Sequence, residues 1–242
     1  MSDRRLLRVS GPDRVDFLQG LVTNDVRRAP VYAALLTPQG KYLSDFFIIP
    51  DGEDALLLDV GAEQADDLLR RLSMYKLRAK VEIAEDPRKV TRGAGPAPDG
   101  AIADPRDPAL GWRSYGVLPG DGTDWDAQRV AMLVPEAGAE LIPNDSYILE
   151  MGFERLHGVD FRKGCFVGQE VTARMKHKTE LKKGLRRVSL EGPVPPGTPI
   201  LTADGREAGT IHTQSDGRGI AYLRFDRVGD GMTAGGVPVR AE

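Results

Sequence analysis

Cysteine is almost absent from this 242-residue chain, Cys165 being the only one. No internal disulfide can form, which suits a reducing compartment. Histidine is nearly as scarce, at His157, His177 and His212. So few soft ligands leave no basis for a structural zinc centre, and no metal is expected. Long apolar runs are missing too. No stretch approaches the ~18 apolar residues of a membrane span, so no membrane partner is expected. The opening Met1-Ser2-Asp3-Arg4-Arg5-Leu6-Leu7 lacks the apolar centre of a secretion signal, and a cytoplasmic location is expected. The net charge of −3 excludes the global basic excess of a nucleic-acid binder, and no direct nucleic-acid partner is expected.

What is present fits a soluble globular protein: 40% hydrophobic and 29% charged residues over a length able to bury a core. Leu6–Ser10 reads as a strand broken at Gly11-Pro12. Asp13 is placed to cap a helix carrying Val15, Leu18 and Leu21-Val22, which Asn24-Asp25 would end. Tyr32–Leu36 and Tyr42–Ile49 flank Thr37-Pro38-Gln39-Gly40, a hairpin turn signal. Ala55–Val60 reads as a strand. Ala62–Tyr75 reads as a helix with Ala65, Leu68-Leu69 and Leu72 on one face, and Lys80–Ala84 as a further strand. Interleaved strands and helices predict an α+β fold.

Residues 92–125 are rich in Pro, Gly and Asp and read as a connecting segment or a long irregular surface segment. Asp126–Val134 is compatible with a short helix or strand. Pro143-Asn144-Asp145-Ser146 resembles a helix start, with Tyr147-Ile148 and Met151 following on one face. From residue 184 onward, short β-prone runs alternate with turns at Asp204-Gly205, Asp216-Gly217 and Gly229-Asp230-Gly231, which predicts a small antiparallel barrel or sandwich. The expected division is a core of residues 1–91 and 126–183, in two intertwined subdomains, followed by a β-barrel of residues 184–242.

The densest signal is Gly158-Val159-Asp160-Phe161-Arg162-Lys163-Gly164-Cys165-Phe166-Val167-Gly168-Gln169-Glu170-Val171-Thr172-Ala173-Arg174. The lone cysteine stands beside a cation, near glycines, before a short helix. A neighbouring Lys and a helix N-terminus are settings that favour thiolate, so a reactive or ligand-binding role is one reading. Packing as a small apolar side chain is the other.

Lys163-Gly164-Cys165-Phe166-Val167-Gly168-Gln169-Glu170 resembles the K-G-C-[FY]-x-G-Q-E signature of the YgfZ-type folate-binding proteins, relatives of the glycine-cleavage T protein. Phe17-Leu18-Gln19-Gly20-Leu21-Val22-Thr23-Asn24-Asp25-Val26 resembles that family's N-terminal element. Thr37-Pro38-Gln39-Gly40-Lys41 with Asp45, and Tyr75-Lys76-Leu77-Arg78-Ala79-Lys80-Val81, resemble its next two segments. The resemblance implies a T-protein-like, aminomethyltransferase-type folate-binding fold ending in a small antiparallel β-barrel. It also implies a tetrahydrofolate, possible in polyglutamylated form, and a role in assembling or repairing iron–sulfur enzymes, tRNA-modifying ones among them. The expected partners are a reduced folate and iron–sulfur client or assembly proteins. The family's functional thiol corresponds to Cys165, and its Lys, Gln and Glu to Lys163, Gln169 and Glu170.

A pterin edge needs carboxylates or amides, and Asn24, Asp25 and Asp45 are candidates, with Tyr147 for an apolar wall. The cations Arg174, Lys176, Lys178, Lys182, Lys183, Arg186 and Arg187 suit a polyglutamyl tail, an acidic partner, RNA phosphates or simple solvation, Arg174 being the candidate folate contact. An aminomethyltransferase-like one-carbon transfer enzyme is the alternative, and enzymatic activity is left open. It would need an acid near the folate, and neither Glu85 nor Asp86 can be matched to that position from sequence. A cysteine hydrolase using His157 or His177 lacks an evident orienting group. Gly93-Ala94-Gly95-Pro96 is no nucleotide loop, because prolines remove the amides that such a loop uses.

Overall fold

The computed structural model describes residues 3–116, 118–178 and 180–242, without the side chain of Lys178. The chain divides into two compact units. One comprises Met1–Thr123, Pro143–Asp145 and Phe153–Ala173. The other comprises Asp124–Ile142, Ser146–Gly152 and Arg174–Glu242.

The first unit is organised by β1 (Arg4–Ser10), α1 (Arg14–Gln19), β2 (Val31–Leu36), β3 (Tyr42–Asp51), β4 (Ala55–Gly61), α2 (Ala62–Tyr75) and β5 (Glu82–Asp86). The strands form one antiparallel sheet in the order β2-β3-β4-β1-β5. Alternation along each strand sends Leu7, Val9, Ala33, Leu35, Phe46, Ile48, Leu56, Leu58 and Val60 into one core. Ala65, Leu68 and Leu72 of α2 and Leu18 of α1 cover it. Burying each large aliphatic side chain there contributes about 1.5–3 kcal/mol. The β2–β3 turn is the expected one: Gly40 N donates to Thr37 O and Thr37 N to Lys41 O, each at 2.8 Å.

α1 is shorter than expected, ending at Gln19 rather than running to Asn24-Asp25. Asp13 makes no side-chain cap there. Its carboxylate accepts from Lys80 N at 2.7 Å instead, which ties the entry of α1 to the segment before β5.

The Pro/Gly-rich stretch is not a mere connection. It carries β6 (Val90–Gly93), β7 (Ile102–Ala103) and β8 (Trp112–Tyr115), paired in the order β6-β8-β7. Its composition supplies turns, while the buried Leu110, Trp112, Asp104, Arg106 and Arg113 fix it in place.

In the second unit, Asp124 caps α3 (Trp125–Met132) by accepting from Asp126 N and Ala127 N. The helix expected after Pro143 is replaced by successive turns, because Asn144, Gly152 and His157 take φ of 62°, 79° and 52° and interrupt any right-handed run. α4 (Gln169–Lys178) starts in the first unit and ends in the second. The remainder is a closed barrel of β9 (Lys183–Leu190), β10 (Pro199–Leu201), β11 (Glu207–Ser215), β12 (Arg218–Arg224), β13 (Thr233–Ala234) and β14 (Val237–Ala241), ordered β10-β11-β12-β9-β14-β13. Val188, Ile200, Ala208, Ile211, Ala221, Leu223, Ala234 and Val239 fill it. Asp216 and Gly217, at φ of 50° and 71°, form the two-residue turn whose twist matches the β11–β12 hairpin.

Candidate functional site

The N-terminal motif and the cysteine segment, far apart in sequence, are stitched together. Thr23 Oγ1 donates to Gly158 O at 2.7 Å, and Asp160 N donates to Thr23 O at 3.0 Å. Asn24 Nδ2 donates to His157 O at 2.6 Å and to Tyr32 O at 2.7 Å. Gln19 Nε2 donates to Lys163 O at 3.2 Å. In return the buried Lys163 ammonium donates to Gln19 O and, at 2.8 Å, to Val22 O. Gln19 O belongs to the last turn of α1 and Val22 O lies just beyond it, where a cation is electrostatically favoured. The ammonium also sits 5.1 Å from the centre of the Phe166 ring. Burial pushes the Lys163 pKa down to about 8, against the upward pull of Asp25 and Asp160.

The hairpin motif joins the same assembly. Gly168 has φ of 83°, and a Cβ there would stand 2.6 Å from Thr37 O and 3.1 Å from Gly40 Cα. Only glycine permits that approach of the β2–β3 turn to the start of α4. Between the Lys163 anchor and this contact, Phe166 is buried and Cys165 is exposed. Packing is therefore not what holds the thiol. The surrounding backbone is fixed, and the sulfur is offered to solvent.

The other candidates separate. Asn24 is buried and engaged by backbone groups, with its Oδ1 accepting from Asp25 N at 2.9 Å. Asp25 does not end α1. It caps the following 3-10 turn, Val26–Arg28, and accepts from Gln19 Nε2 at 3.1 Å. Asp45 is buried and accepts from Tyr42 OH at 2.5 Å and Tyr32 OH at 2.9 Å. A solvated strand position is thus ruled out for it, and direct pterin contact would require breaking those bonds. Burial, then the neighbouring Asp45, pushes both phenols up. Gln169 is half-buried and Glu170 exposed, both in the first turn of α4. Tyr147, half-buried, and Arg174, exposed, belong to the second unit.

Within the first unit a cleft of about 390 Å³ is lined by Asn24, Arg28, Tyr32, Glu154, His157 and Asp160, with Pro105 and Arg162 also on its wall. It mixes two carboxylates, two guanidiniums and an aromatic face, the kinds of group that a flat polar heterocycle with an anionic tail requires.

The basic cluster is heterogeneous. Arg187 pairs with Glu242 at 2.5 Å, Lys183 lies 5.3 Å from the Tyr222 ring, and Arg186 lies 4.2 Å from the Phe225 ring. Arg174, Lys176 and Lys182 are exposed, and the side chain of Lys178 lies outside the described residues. Glu85 and Asp86, expected to follow the strand, are the last two residues of β5, and neither is poised for proton transfer: Glu85 pairs with Arg5 and Asp86 with Arg88, each at 2.8 Å. His157 borders the cleft, whereas His177 is exposed on α4.

Sequence reasoning missed a buried charge network on the sheet face opposite α2. Asp59, fully buried, accepts from Arg4 Nε at 2.7 Å, Arg113 Nη1 at 2.8 Å and Tyr115 OH at 3.2 Å. Asp104 accepts from Arg113 Nε at 3.2 Å and from Arg106 Nε at 2.9 Å. The Arg113 guanidinium lies 3.6 Å from the centre of the Phe47 ring. Burial raises the Asp59 and Asp104 pKa values, but Arg4 and Arg113 for the first, and Arg106 and Arg113 for the second, outweigh it. Both carboxyls stay below the ordinary range. A usable signal existed: Asp45 and Asp59 interrupt otherwise apolar strands, and a charge there must find a buried partner.

Residues 182–242 match the family described as CAF17, C-terminal beta-barrel domain. The chain is 32% identical to the iron-sulfur cluster assembly factor IBA57, mitochondrial, of Mus musculus, over 94% of this chain and 77% of that protein. It is 30% identical to the Homo sapiens IBA57 over the same shares. A Neurospora crassa IBA57 homolog is 33% identical over 85% of this chain, but the match spans only 56% of that longer protein. Among solved structures, the glycine cleavage system aminomethyltransferase T of Bartonella henselae superposes with a TM-score of 0.78 at 13% identity, covering 100% of this chain and 83% of that one. That likeness establishes the T-protein-like fold. Two expectations are corrected. The relatives are IBA57 proteins rather than YgfZ proteins, so the cysteine signature alone does not separate the two groups. The cytoplasmic location is overturned, since these relatives are named as mitochondrial proteins.

Proposed function

Since this chain belongs to the IBA57 family, we propose that it is an iron–sulfur cluster assembly factor and that Cys165 is the ligand it offers to iron. The observation that carries the reading is the exposure of the only thiol on a loop fixed by Lys163, Phe166 and Gly168. Thiolate is the ligand that iron–sulfur clusters use, and a cluster takes about four such ligands. One cysteine cannot supply them, so an assembly or client protein completes the set, and the cluster is cargo. The test is complementation of a strain lacking this chain's gene, read as activity of iron–sulfur enzymes, including tRNA-modifying ones. Cys165→Ala and Cys165→Ser should lose complementation at unchanged thermal stability. Full complementation by Cys165→Ala sinks the assignment.

The finer part of the proposal is that the cleft of the first unit takes the pterin of a tetrahydrofolate. Support comes from its size, within the range of small-ligand sites, and from its lining. Glu154 or Asp160 would accept the pterin N–H groups, and Arg28 and Arg162 would face the glutamyl carboxylates. Calorimetry with polyglutamylated tetrahydrofolate should give micromolar binding that Arg28→Ala weakens. No heat at high micromolar ligand would remove folate from the account and leave the thiol's role untouched.

A further inference from the structure

The turn between α2 and β5 has no part in either site, yet it violates folding preference twice. Leu77 at its apex is 89% exposed, beside Met74 at 59% and Tyr75 at 40%. Its φ is 39°, in the left-handed region that Leu avoids and Gly or Asn tolerates. For stability alone, glycine or asparagine would serve better on both counts.

The turn is also firmly held. Lys76 N donates to Leu72 O at 3.0 Å, Ala79 N to Lys76 O at 2.7 Å, and Val81 N to Ala79 O at 2.9 Å. The bond from Lys80 N to Asp13 secures its base. A leucine is therefore displayed on a fixed support.

Charge adds the chemistry of the partner. Lys76, Arg78 and Lys80 flank the apex along the chain, in a protein of net charge −3. Neighbouring arginines are neutralised, Arg5 by Asp66 and Glu85, and Arg70 and Arg71 by Asp67. No ion pair engages Lys76, Arg78 or Lys80 among the described residues.

We infer that Met74, Tyr75 and Leu77, flanked by Lys76, Arg78 and Lys80, form a docking knob for an acidic protein partner, with Leu77 seated in an apolar pocket rimmed by carboxylates. A pre-ordered apolar anchor within a charged rim is how protein interfaces concentrate affinity and steer encounter. Three apolar residues on one turn are too few for lipid anchoring, which needs a long amphipathic face.

The experiment compares the whole chain with Leu77→Gly and with Lys76→Glu/Arg78→Glu/Lys80→Glu. Leu77→Gly should keep or raise the thermal midpoint, since it relieves the left-handed leucine. Both variants should nevertheless cut complementation about tenfold or more, as loss of a central anchor does. The alkylation rate of Cys165 should be unchanged in both, which separates this surface from the thiol platform. A photo-crosslinker in place of Tyr75 should yield a protein adduct that the charge reversal abolishes. Full complementation by both variants overturns the inference. So does an adduct that survives charge reversal, or binding to phosphatidylserine–phosphatidylcholine vesicles that Leu77→Gly abolishes.

Discussion

The five-stranded sheet presents two interiors built on opposite principles. Toward α2 it buries hydrocarbon: Val9, Leu35, Ile48 and Leu58 against Leu68 and Leu72. On the reverse it buries charge: Asp59 and Asp104 against Arg4, Arg106 and Arg113, with Phe47 beneath the guanidiniums. Apolar packing degrades gradually, because each side chain contributes its own area. An ionic cluster fails abruptly, because each member exists to compensate another.

Substitutions can break this contrast. Asp59→Ala leaves Arg4 and Arg113 buried without their carboxylate and should cost about 3–5 kcal/mol in urea unfolding. Leu58→Ala on the other face should cost about 2–5 kcal/mol, set by how far the core relaxes into the cavity. Asp59→Leu combined with Arg113→Met should cost less than Asp59→Ala alone. If the double change is the worse of the two, the reverse face is not governed by charge compensation.

Acid acts on the charged face alone. Asp59 and Asp104 have folded pKa values below the unfolded value of about 3.9, so the unfolded chain binds more protons as pH falls through that value. Their stabilisation is present above pH ~4 and lost below it. Their contribution to the urea midpoint should hold above pH ~5, about one unit over the unfolded carboxyl value, and drop beneath ~4. The drop should be shallower in Asp59→Asn. The smallest effect is expected outside both faces: Cys165→Ala should shift stability by no more than about 0.5 kcal/mol, because the thiol is exposed.

The hydrocarbon face was readable because alternation and the 3–4 spacing of Ala65, Leu68 and Leu72 are local patterns. So were the β2–β3 turn and the β11–β12 turn, whose residues carry their own geometry. The charged face was not, because Arg113 meets Asp59 across 54 positions and no local rule couples them. The turns of residues 146–152 looked helical because apolar spacing does not report the left-handed residues that flank them. At the candidate site, Cys165 stood out in the sequence. The structural duty of Lys163 did not, because its acceptors are backbone carbonyls, which every residue possesses.

The clasp between Lys163 and Gln19 links positions 144 apart along the chain. Such a closure encloses a long loop, and all of the intervening sequence must be in place before its two ends can meet. A nascent or clipped chain would carry the same sulfur on a wandering tether, unable to present it in one orientation. The loop thus acts as a certificate that the first unit has folded, ordering the thiol only once the two ends of that long closure have met.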